Sequence, residues 1–107
     1  MSDLTQKRCV PCEGGVPPLG KSEVERLLAQ IPGWSLSGKW ISKEFNLKNF
    51  VQAMKFVNRV ADLAESEGHH PDLHIHYNRV RFDIWTHAID GLTENDFILA
   101  AKIEALK

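Results

Sequence analysis

The sequence predicts an α+β fold, an antiparallel sheet with helices packed on one of its faces, in the order α-β-β-α-β-β-α. Three observations predict it. Apolar residues recur at helical spacing in three segments, with cap or stop residues at their ends. Two pairs of short runs rich in aromatic and β-branched residues surround turn residues, as hairpins do. Each pair falls between two helices, which favours antiparallel pairing with the helices gathered on one side.

Residues 1–20 contain Cys9, Pro11, Cys12, Gly14, Gly15, Pro17, Pro18 and Gly20, and these prolines and glycines predict an irregular arm ahead of a single domain over 21–107. From Lys21, Ser22 and Glu25 have the spacing of a capping box, and Val24, Leu27, Leu28 and Ile31 form a helical stripe that Pro32-Gly33 ends. Trp34-Ser35-Leu36 and the run from Trp40 to Phe45 then flank Ser37-Gly38-Lys39, a hairpin pattern. Over residues 48–66, Phe50, Met54, Val57, Ala61 and Ala64 share one stripe, widened by Ala53, Phe56 and Val60, and Gly68 stands where a glycine cap is expected. Residues 71–77 and 80–86 read as strands around Asn78-Arg79, because asparagine tolerates the left-handed backbone of a tight turn. The last helix spans Glu94 to Leu106. Thr93 and Asp96 are spaced as a capping box there, and Leu92 and Phe97 as a hydrophobic staple.

Bulk properties narrow the function. A chain of 107 residues is one domain, small enough that oligomerisation is an accessible source of further stability. Its formal net charge is −1 and its pI about 6.5, so electrostatics give no reason to expect nucleic acid or an anionic membrane as partner. No apolar run approaches the roughly 18–20 residues that span a bilayer, and the first residues lack the apolar segment of a secretory signal. Two cysteines three positions apart make no disulfide framework, so a reducing, cytoplasmic address is expected.

Histidine usage stands out. Of five histidines, His69, His70, His74 and His76 lie within eight residues, and His87 follows eleven after His76. With Asn78 and Arg79 as turn residues, Ile75 faces Phe82 and Leu73 faces Ile84, giving one apolar face of Leu73, Ile75, Tyr77, Val80, Phe82 and Ile84. Asp72, His74, His76, Arg81, Asp83 and Trp85 take the other face, and His70 comes opposite His87, close enough for both imidazoles to reach one small molecule. His69 adjoins them at the helix end. Histidine gives and takes protons near neutral pH, so two imidazoles about one substrate suit an elimination or tautomerisation. No phosphate-binding glycine loop, dinucleotide fingerprint or activated-serine motif is present.

Gly68-His69-His70-Pro71-Asp72, Tyr77-Asn78-Arg79-Val80, Thr86-His87, Gly91-Leu92-Thr93 and Asp96 together resemble the signature of pterin-4a-carbinolamine dehydratases, and Phe45, Phe50 and Phe56 match its aromatic spacing. The likeness runs from about Leu19 to Leu106. It implies a four-stranded antiparallel sheet with three helices on one side, in dimers or tetramers. It also implies dehydration of 4a-hydroxytetrahydrobiopterin to the quinonoid dihydropterin, which recycles the cofactor of aromatic amino-acid hydroxylases. The pterin is then the substrate, and no further cofactor or metal is expected. The family histidines matching His69, His70 and His87 are the catalytic or substrate-binding ones, with His70 and His87 favoured as the acid–base pair and His69 as the residue orienting the pterin. Glu65, Pro71, Trp85, Thr86 and Asp96 are the expected substrate contacts, although Asp96 is a helix cap first and Glu65 could equally be a surface carboxylate. Gly68 stands where many members carry an acidic residue.

Other readings compete. Imidazolium at a helix C-terminus is favoured by the dipole, but this explains one histidine rather than a doublet facing a third. His74-x-His76 projects two imidazoles to one side of a strand and, with Cys9-x-x-Cys12, could chelate zinc or nickel. Redox use of the cysteines is disfavoured by the glycines and prolines that follow them. A non-catalytic binding, assembly or transcriptional-cofactor module on the same fold is the alternative function, and the intact histidine trio favours the enzyme.

Overall fold

The computed structural model describes residues 3–9 and 17–107. Its elements are α1 (Lys21–Leu28), β1 (Ser35–Ser37), β2 (Trp40–Asn46), α2 (Phe50–Glu67), β3 (Asp72–His76), β4 (Arg79–Ile84) and α3 (Glu94–Leu106). The four strands form one antiparallel sheet in the order β1-β2-β4-β3, so the two hairpins join along β2 and β4. This is the α+β architecture expected from the order of the elements.

Alternation along the central strands sorts their side chains. Ile41, Phe45, Val80, Phe82 and Ile84 turn inward and are buried. Phe45, Phe56 and Phe82 pack edge to face or tilted with centroids 5.1–5.8 Å apart, joining the sheet to α2. Burial of each such ring contributes roughly 1.5–3 kcal/mol. Trp34 is buried just ahead of β1, and its indole donates to Glu104 on α3, which also pairs with Lys43.

Caps set where the helices begin. The Asn49 side chain accepts from the Gln52 amide (2.9 Å) and starts α2. The Thr93–Asp96 capping box opens α3, with Leu92 and Phe97 both buried beside it, as the sequence predicts. The Ser22–Glu25 box is not used. α1 starts directly after Gly20, which puts Ser22 inside the helix rather than at its cap. On α2 the inward stripe is Ala53, Phe56, Val57, Val60 and Ala64, while Phe50 in the first turn is 49% exposed.

The arm is partly regular. Asp3–Gln6 forms a 3-10 turn that packs on α3 and puts Leu4 into the core at 2% exposure. Cys12 lies outside the described residues, so the Cys9-x-x-Cys12 thiolate set does too in part. No helix among the described residues is long and apolar enough to cross a membrane.

The second hairpin turns one residue earlier than Asn78-Arg79. Tyr77 and Asn78 occupy the turn, Tyr77 with φ of 53°, and Leu73 pairs with Phe82 and Ile75 with Val80. The cause is tertiary. Asn78 donates from its side chain to the Leu47 carbonyl (3.0 Å) and accepts the Leu47 amide (2.8 Å), which pins the turn beneath the lead into α2. An even register shift leaves each side chain on its expected face, except Tyr77, which leaves the apolar face for the turn. It also removes the ladder pairing of His70 with His87, since β3 begins at Asp72 and β4 ends at Ile84.

Candidate active site

The histidine doublet is delivered by the end of α2. Gly68 adopts φ of 66°, its amide bonds the Glu65 carbonyl, and the His69 amide bonds the Ala64 carbonyl (3.2 Å). This pair of bonds is a Schellman cap, which requires a residue that accepts left-handed backbone. Glycine meets that need freely, and aspartate or asparagine meets it better than most residues. The acidic residue that the resemblance places here is thus compatible with the same cap.

Behind the doublet lies Asp96, a carboxylate with no solvent exposure. His69 Nε2 donates to its Oδ1 at 2.6 Å, while Thr86 Oγ1 (3.0 Å) and the Thr93 amide (2.8 Å) donate to Oδ2. Asp96 therefore ties the end of α2, the strand exit at Thr86 and the first turn of α3 to one another. Because the carboxylate can only accept, Nε2 of His69 carries the hydrogen and Nδ1 is the nitrogen left for a ligand.

His87 comes from the other side. Thr86 and Gly91 form an isolated antiparallel bridge, with Thr86 N to Gly91 O at 2.9 Å, and close a tight loop that starts at His87. Asp90 in that loop pairs with Lys39 (2.8 Å), and the Leu19 amide bonds the Leu92 carbonyl just beyond it. A Cβ on Gly91 would lie 2.6 Å from Pro18, so only glycine fits between loop and arm.

The two sides enclose a cleft of about 430 Å³, within the range of small-molecule sites. His69, His70, Pro71, Trp85, Thr86 and His87 all line it. The three histidines meet at this cleft through the loops at the ends of β3 and β4 and not through a strand pair. His70 Nε2 is 3.0 Å from Glu65 Oε2, an exposed pair at the mouth. His87 packs on Trp85 with ring centroids 4.1 Å apart and planes tilted by 38°.

A family model described as pterin 4 alpha carbinolamine dehydratase matches residues 17–106. The chain belongs to that family. It is 51% identical to a protein of Nitrosospira multiformis over 99% of this chain and 94% of that one, and 50% identical to one of Rubrobacter xylanophilus over 99% and 100%. Both carry the name "putative pterin-4-alpha-carbinolamine dehydratase". Among solved structures, a transcriptional coactivator/pterin dehydratase from Brucella melitensis superposes with a TM-score of 0.79 at 35% identity, covering 83% of this chain and 97% of that one.

Against this dehydratase frame, two expected substrate contacts do not line the cleft. Asp96 is sealed behind His69, and exposed Glu65 stands at the mouth against His70. Asp72, Ala88 and Asn95 line the cleft without having been among the expected substrate contacts. Asp72 had a signal, its place on the polar strand face beside the doublet. Ala88 and Asn95 had none.

The remaining histidines and cysteine take other roles. His74 Nε2 contacts Asp83 (3.0 Å), which also takes Ser42 Oγ (2.7 Å), and His76 sits opposite Arg79. Cys9 Sγ donates to the Asn95 carbonyl (3.5 Å), and burial, followed by the Glu67 carboxylate, pushes its thiol up to about 12. A thiol held so firmly in its protonated form is a poor metal ligand and nucleophile. Among the described residues, no group of three histidine, cysteine, aspartate or glutamate side chains is placed to hold a metal ion.

Proposed function

We propose that the protein dehydrates 4a-hydroxytetrahydrobiopterin to the quinonoid dihydropterin by histidine acid–base catalysis. The observation that carries this reading is the convergence of His69, His70 and His87 on one cleft in a chain of the carbinolamine dehydratase family. One imidazolium gives its proton to the 4a-hydroxyl, the C4a–O bond breaks and water leaves. A neutral imidazole takes the N5 proton, and the N5–H electron pair becomes the C4a=N5 double bond. The proton given and the proton taken balance, so no redox partner is needed. His70 and His87 are the exchanging pair. Both are exposed at the mouth, where solvent resets their protonation between turnovers. His69, held by sealed Asp96, orients the pterin through Nδ1. Pro71, Trp85 and Thr86 shape the wall, and Glu65 and Asp96 act through their histidines.

Recycling the cofactor of an aromatic amino-acid hydroxylase from within a cytoplasmic homodimer or homotetramer belongs to the same proposal. Exposed Phe50 and Val51 on α2 and half-exposed Leu73 and Ile75 on the edge strand β3 are the apolar groups such an assembly would cover.

A direct assay of carbinolamine loss tests the chemistry. The wild type should accelerate it, and His70→Ala and His87→Ala should each lose roughly 10²–10⁴-fold while staying folded. Folded variants with undiminished rates would remove the mechanism. They would leave the non-catalytic reading, which the Brucella relative's double description supports.

A further inference from the structure

The three imidazoles of the cleft are not held alike. His69 is fixed by Asp96 and His70 is partnered by Glu65, whereas no side-chain hydrogen bond holds His87 among the described residues. Its ring lies against the Trp85 indole, with centroids 4.1 Å apart and planes tilted by 38°. We infer that Trp85 is a positioning residue, which holds the His87 imidazole at the angle at which it meets the substrate, and that Asp72 anchors the indole for this purpose.

Trp85 is itself well placed to be a fixed platform. Its neighbours in the chain, Ile84 and Thr86, are both buried, so its backbone has little freedom. Its Nε1–H points to Asp72 Oδ2 at 3.4 Å, and Trp40 lies against it with centroids 6.3 Å apart. Asp72 has an otherwise unexplained position. It pairs directly across the ladder with Asp83, and two carboxylates so opposed destabilise a sheet. Asp83 is compensated by Ser42, His74 and Arg81, which leaves Asp72 to serve the indole.

A stack suits this histidine better than a hydrogen bond would. A carboxylate partner occupies one ring nitrogen, as Asp96 does for His69. An aromatic face fixes the ring plane and leaves both nitrogens open to substrate and solvent, and the contact persists whether the imidazole is neutral or charged. His87 is exposed and lies at the start of a loop, so without the platform its ring would sample several rotamers and seldom the reactive one.

The catalytic half of this inference rests on the acid–base reading of His87, and the geometric half does not, so the test has two readouts. In proton NMR, with resonances assigned by His87→Ala, the wild-type His87 ring protons should be shifted upfield by the indole ring current. Trp85→Leu should abolish that shift and Trp85→Phe should keep part of it. In the dehydration assay, Trp85→Leu should lower kcat roughly 10- to 100-fold with KM little changed, Trp85→Phe should restore most of it, and Asp72→Asn should give a smaller loss of kcat. Unshifted His87 protons in the wild type would overturn the stack, and this measurement needs no variant that folds. A rise in KM at constant kcat would overturn the positioning role and make Trp85 a direct substrate contact. An upfield shift in a protein with no dehydratase activity would sink the catalytic half alone.

Discussion

His69 Nε2 and Asp96 Oδ1 lie 2.6 Å apart, and the carboxylate that accepts this bond has no contact with solvent. One side chain thereby sets the tautomer of a cleft histidine, caps α3 and ties down the strand exit at Thr86. Asp96→Asn keeps the shape but replaces one acceptor oxygen with a donor, so either Thr86 and Thr93 lose an acceptor or His69 must move its hydrogen to Nδ1 to accept from the amide. Denaturant melts should show a loss of about 1–3 kcal/mol. The turnover rate should fall roughly 10- to 100-fold from misplacement of the imidazole.

Much of this was legible in the sequence because local signals and tertiary contacts agree. Gly68 marked the end of α2, Thr93 and Asp96 marked the start of α3, and period-two alternation sorted both faces of the second hairpin. The turn register was not legible. Asn78 suits either of two adjacent turn positions, and its bonds to Leu47, far along the chain, choose between them at the expense of placing Tyr77 at positive φ. The same distance hid the second role of Asp96, since no spacing rule connects a helix cap to a histidine 27 residues away. Leu4 was hidden for the opposite reason, as an isolated apolar residue among polar neighbours carries no period.

Gly91 closes the loop that carries His87. Gly91→Ala would place a methyl group 2.6 Å from Pro18 and force loop and arm apart. Overpacking of this kind should cost about 1–3 kcal/mol. The thermal midpoint should drop, and activity should drop with it, because the Thr86–Gly91 bridge fixes where the loop begins.

The Cys9 thiol should be inert in the folded protein. In a Cys12→Ser background, labelling by a small alkylating reagent at pH 8 should be much slower native than in denaturant. The linkage has a definite sign. The folded pKa of about 12 lies above the ordinary 9.0, so the unfolded chain gives up this proton first. The stability it contributes is complete below pH 9 and is lost as pH rises toward 12. Cys9→Ala should flatten the alkaline limb of a stability profile.

Glu67 acts at the opposite end of the scale. Burial opposes its ionisation, but Lys102 (2.8 Å) and the Cys9 amide (2.8 Å) more than offset that and hold the carboxyl below its ordinary 4.5. Its contribution is present above pH 4.5 and fades as pH falls below it. Glu67→Gln should cost about 1–3 kcal/mol at neutral pH. The gap to wild type should close in acid, as read from urea midpoints across pH.

The most direct measurement follows all five histidine side chains by NMR while 7,8-dihydropterin, a stable stand-in for the reaction product, is added. His69, His70 and His87 should shift together along one saturable curve, with His74 and His76 on the open sheet face unmoved. Shifts confined to His74 and His76, or none at saturating pterin, would contradict a shared imidazole cleft as the place where the substrate binds.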